Sequence, residues 1–73
     1  MTIQVIAISE LVPTNGSKPV IYNHAPVQAA FLLGAEIEFH NPYKDAWIRV
    51  RRSAADFETL KHIQYRAVFY FQD

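Results

Sequence analysis

The sequence predicts a small α+β domain: a sheet of about four strands, antiparallel or mixed, with two short helices on one face. Three observations lead there. Glu36–His40 and Trp47–Arg51 alternate apolar and polar residues with the period of a half-buried strand. Ile3–Ile8 and Tyr65–Gln72, near the two ends, are rich in β-branched and aromatic residues. Between these segments lie two stretches with helical spacing and helix-terminus signals.

Taken in order, Ile3–Ile8 is short and predominantly apolar, as a well-buried strand would be. Residues 9–19 contain Pro13, Asn15, Gly16, Ser17 and Pro19, so they read as one long early loop, with a brief extended piece at Val20–Tyr22. Asn23 is a suitable helix N-cap, Pro26 falls in the first turn where its missing N–H costs nothing, and Gly34 sits at the stop. The hairpin follows, its strands separated by the turn formers of residues 41–46. Pairing Phe39 with Ile48 and Ile37 with Val50 gathers the apolar set on one face. The same register sets Glu38 opposite Arg49, Glu36 opposite Arg51 and His40 opposite Trp47, whereas a one-residue slip would set apolar against charged. Ser53 then caps a second predicted helix with Asp56 three residues on, and Phe57, Leu60 and Ile63 form its buried stripe. The run Val68–Phe71 would promote aggregation if left unpaired, so it belongs in a central or well-covered strand. The resulting βαββαβ-like order is that of ferredoxin-like folds at their lower size limit, a single domain over residues 1–73.

Composition narrows the function classes. Apolar residues make up 51% of the chain, enough for a core without staples and too many for a disordered segment. The lack of cysteine removes a disulfide framework, a thiolate metal site and a thiol nucleophile together, and suits a reducing cytosol. Seven basic residues balance seven acidic ones, which disfavours a protein that grips nucleic acid mainly through phosphates. The longest apolar runs, Val5–Ile8 and Ala29–Leu33, fall far short of the ~20 residues that span a bilayer. Gln4 interrupts the first apolar stretch and no Lys or Arg precedes it, so no signal peptide is expected. A soluble, unprocessed chain with no membrane partner is the expectation.

Chemistry is not expected either. His24, His40 and His62 lie outside metal-ligand spacing, and surface or capping roles suit all three. Glu36 and Glu38 invite an acid–base reading, but each would face an arginine across the hairpin and be unsuited to donating a proton. With glycine only at 16 and 34, no phosphate-cradling loop, nucleotide fingerprint or nucleophile elbow can be formed. The chain reads as a binding protein without cofactor, metal or catalytic residue.

The feature above background is the outer face of the hairpin and its tip. Trp47, Arg49 and Arg51 share that face, Arg52 continues it, and Tyr43 and Lys44 occupy the turn. Trp, Tyr and Arg dominate interaction hot spots. Aromatic and basic residues on an open sheet also suit stacking and holding single-stranded RNA, which is the alternative reading. A plain Glu–Arg ladder that solubilises the sheet, with Trp47 as a cation–π neighbour, is the bland one. The loop Thr14–Lys18 is a second candidate contact surface.

The whole chain, in stretches such as Met1–Ile6 and Asp45–Arg52, resembles a small transcription regulator of lytic bacteriophages that binds host RNA polymerase. That resemblance implies binding to the N-terminal region of the polymerase β′ subunit near the RNA exit channel, with nascent RNA nearby. It further implies displacement of the σ factor, suppression of intrinsic termination and a location in the host bacterial cytoplasm. The free chain is expected to be a monomer. The resemblance carries no functional residues across, so Tyr43, Lys44, Trp47, Arg49, Arg51 and Arg52 rest on residue chemistry alone.

Overall fold

The computed structural model describes residues 1–13 and 20–72. Its elements are β1 (Thr2–Ile8), β2 (Glu10–Val12), β3 (Ile21–Asn23), α1 (Ala25–Leu32), β4 (Glu36–Asn41), β5 (Ala46–Val50) and β6 (Tyr65–Phe71). Four strands form one sheet in the order β1-β6-β4-β5, antiparallel at every step, while β2 and β3 pair as a separate ribbon. Because β1 and β4 both run against β6, they run parallel to each other. Helix α1 makes the crossover between them, and β6 fills the gap. The aromatic run of β6 is therefore paired on both sides, as its composition demands. The predicted contact loop Thr14–Lys18 lies outside the described residues.

The hairpin register is the one the alternation predicts: Ile37 opposite Val50, Glu38 opposite Arg49, Phe39 opposite Ile48 and His40 opposite Trp47. It turns Ile37 and Phe39 toward α1 and Glu36, Glu38 and His40 away from it. On the covered face Val27, Ala30, Ala35, Ile37, Tyr65 and Ala67 form the core, with Phe31, Phe39, Val50, Phe57 and Ile63 packed around them. Fully burying a side chain such as Ile37 or Val27 contributes about 1.5–3 kcal/mol.

Helix α1 is held mainly at its C-terminal end. Gly34, at φ +107°, donates its N–H to Phe31 O at 3.0 Å, and Ala35 N–H reaches Ala30 O at 3.1 Å. This double closure requires a left-handed residue after the helix, which glycine adopts without strain. At the other end Asn23 Oδ1 accepts the N–H of Ala25, and His24 occupies the cap position.

The predicted helix beginning at Ser53 does not form, so among the described residues one α-helix covers the sheet rather than two. Residues Arg52–Ala54 make a single 3₁₀ turn and 57–63 a series of turns. The reason lies in competing hydrogen bonds. Asp56 Oδ1 accepts the backbone N–H groups of Glu58 and Thr59, and its Oδ2 accepts the Thr59 hydroxyl. These bonds hold the Asp56 carboxyl below its usual range, the Thr59 hydroxyl first among them. Farther on, Lys61 O is taken by Tyr22 N–H of β3 at 2.8 Å and Leu60 O by the His24 ring. Carbonyls that a helix would need are committed elsewhere. The spacing of Phe57, Leu60 and Ile63 serves successive turns as well as it would a helix, and Phe57 and Ile63 still reach the core.

Of the surface or capping roles expected for it, His24 takes the cap position of α1, but it is buried, 5% exposed. Its Nε2 lies 2.8 Å from Leu60 O and must donate, which leaves Nδ1 to accept from the Ser9 hydroxyl at 2.6 Å. Ser9 Oγ in turn accepts Tyr65 N–H. One imidazole thus ties the end of β1, the start of α1 and the 55–64 segment together.

Candidate partner-docking surface

The face of the sheet away from α1 carries a polar network rather than a second core. Glu38, in the middle of β4, is only 5% exposed. A buried carboxylate needs compensation, and β6 supplies it: Arg66 Nε donates to Oε1 at 2.7 Å and Tyr70 Oη to Oε2 at 2.6 Å. Burial first, and then this bond to the carboxylate, push the Tyr70 phenol up to about 12. The Arg66 guanidinium also lies over the Trp47 indole, 4.3 Å from its centroid, and Trp47 meets the His40 ring at 5.1 Å. Trp47 is half-buried, with one face of its indole taken.

The charge pairing differs in detail from the cross-strand ladder the sequence suggests. Glu38 stands opposite Arg49 in register but bonds to Arg66, while Arg49 turns diagonally to Glu36 at 3.4 Å and lies over the Tyr70 ring at 4.9 Å. Arg51 lies beyond the paired strand, so it does not face Glu36 in the ladder. Among the described residues its side chain has no bonded partner. Arg52 turns to the helix side. Its Nη1 donates to Ala35 O at 2.6 Å and its Nη2 to Phe31 O at 2.8 Å, with the guanidinium stacked on the Phe31 ring at 4.0 Å. A cation at a helix C-terminus is well placed against the dipole, so Arg52 has a structural task.

The turn displays the remaining candidates. Asn41 Oδ1 accepts the N–H groups of Tyr43 and Lys44, and Asp45, at φ +48°, returns the chain while accepting a bond from His40 Nε2 at 3.0 Å. Tyr43 is consequently 97% exposed and Lys44 is exposed beside it. Of the six predicted contact residues, Tyr43 and Lys44 occupy the tip, Trp47 and Arg49 the open face, and Arg51 and Arg52 the far end of β5.

Arg66 and Tyr70 belong to this surface and were not among the predicted residues. The signal was present: an arginine inside an otherwise apolar strand has to meet a carboxylate or water. No helix among the described residues is long and apolar enough to cross a membrane. No protein-family model matches the chain, nor does any characterised protein or solved structure.

Proposed function

We propose that this chain is a bacteriophage regulator that acts by occupying a surface of bacterial RNA polymerase, without catalysis and without a cofactor. The supporting observation is the succession of an exposed Tyr43 in the turn, a half-buried Trp47 and Arg49 on β5, and Arg51 directly after it, in a charge-balanced domain. Aromatic and arginine side chains on a preformed strand are the usual anchors of protein contacts. In this reading the target is the β′ N-terminal region near the RNA exit channel, and the site of action is the host cytoplasm. Occupancy there excludes σ from initiating polymerase and hinders the terminator hairpin in elongating polymerase.

The single-stranded RNA alternative fits less well. Glu36 and Glu38 share the face with the arginines, and Arg66 already covers one side of the only tryptophan. The test is co-elution of the chain with purified RNA polymerase core on size exclusion, followed by addition to holoenzyme. Stable co-elution and release of σ are expected; migration of the chain apart from core and holoenzyme alike would refute the proposal.

A further inference from the structure

The far end of β5 is where the balanced charge of the domain separates. Arg49, Arg51 and Arg52 line one open concavity of about 570 Å³ together with Val50 and Glu36. Glu36 is the one acidic residue in that lining, and its carboxylate stands 3.4 Å from Arg49. Arg52 is immobilised on the carbonyls of Phe31 and Ala35 and cannot turn away. Arg51, extended at φ −64° and ψ 142°, has no bonded partner among the described residues. Uncompensated like charges held together favour an incoming anion.

The surrounding backbone says what kind of anion. Among the described residues β5 is an edge strand, with β4 on one side only. Its outer hydrogen-bonding groups are those to which an extended peptide adds as a further strand. Along such a strand side chains alternate between faces. On β5, Arg49 lies on the open side and Ile48, 38% exposed, and Val50 on the other; Arg51, directly after the strand and still extended, continues the alternation from Arg49. Carboxylates at every second position of the incoming strand would meet the arginines, and apolar residues between them would cover Ile48 and Val50. We infer that the outer edge of β5 accepts an extended protein segment that alternates acidic and apolar residues. The inference rests on the reading of the chain as a protein-binding regulator and names the chemistry of its partner. RNA phosphates would use the arginines but neither the backbone edge nor Ile48.

The experiment uses the full chain, isotope-labelled, and three probes: a seven-residue peptide alternating Glu and Val, the same peptide with Gln for Glu, and a decamer of uridylate. The Glu peptide should bind and shift the amide signals of residues 46–51 while leaving those of 2–8 in place. The Gln peptide, and Arg51→Glu with the Glu peptide, should each bind about tenfold more weakly or worse, near 1.4 kcal/mol. Because the Arg51 side chain has no bonded partner among the described residues, circular dichroism of the variant should match the parent. Equal binding of the Glu and Gln peptides, no binding of either, or displacement of the Glu peptide by uridylate would overturn the inference. Polymerase core separates the two readings. Core binding that survives Arg51→Glu unchanged defeats the acidic-strand inference and leaves the regulator standing, whereas peptide binding without core binding does the reverse.

Discussion

The two edges of the sheet are built from opposite materials. β1 contains no charged side chain from Thr2 to Ile8, and its Ile3, Val5, Ile6 and Ile8 are all between 40 and 46% exposed. β5 and the three residues after it hold Arg49, Arg51 and Arg52 beside Trp47. The difference teaches that a net charge of zero is an average over the chain and describes neither edge. It also shows two ways of anchoring a strand. The end of β1 is pinned by the buried pair Ser9 and His24, the inner side of β5 by a carboxylate–arginine network across β4 and β6.

The contrast can be broken most strongly at Glu38. Glu38→Ala removes the acceptor of both Arg66 and Tyr70, and stranding a partly buried guanidinium should destabilise the fold by about 3 kcal/mol in urea unfolding. A smaller loss would mean that the open face contributes less order than its bonds suggest. On the opposite edge, Ser9→Ala leaves His24 Nδ1 and Tyr65 N–H without their partner, at a cost of about 2 kcal/mol by the same measurement.

Tyr70 gives a pH signature of the network. Its phenol is raised in the fold, so its contribution to stability is complete below the ordinary tyrosine value near ~10 and is lost as pH rises toward about 12. Absorbance titration of tyrosine ionisation should show a late step near that pH which Tyr70→Phe abolishes. The arginines after β5 should then divide. Arg52→Ala exposes two carbonyls at the end of α1 and should cost about 1 kcal/mol. Arg51→Ala should change stability by less than ~0.5 kcal/mol, as should Val5→Lys on the uncharged edge.

Where the sequence was most legible, one physical constraint acted alone. Period-two alternation with opposite charges at matched positions left the β4–β5 register no competitor, and the aromatic run of β6 had to be covered from both sides. Legibility failed where local and long-range demands coincide in pattern. The three-residue spacing of Phe57, Leu60 and Ile63 fits a helix, yet Asp56 and the carbonyls of Leu60 and Lys61 are bound elsewhere by groups distant in sequence. The same holds at the candidate site. Its residue types were readable from the hairpin, but the separation of a clamped Arg52 from an unbonded Arg51 depends on the end of α1, and the Arg66–Glu38–Tyr70 network depends on which strand lies beside β4.

Hydrogen–deuterium exchange of the chain with and without purified RNA polymerase core tests the docking surface most directly. Protection confined to the turn and strand of residues 43–52, with 2–8 exchanging as in the free chain, is the expected result. Protection of residues 2–8 with 43–52 unchanged would place the partner on the uncharged edge and contradict the account.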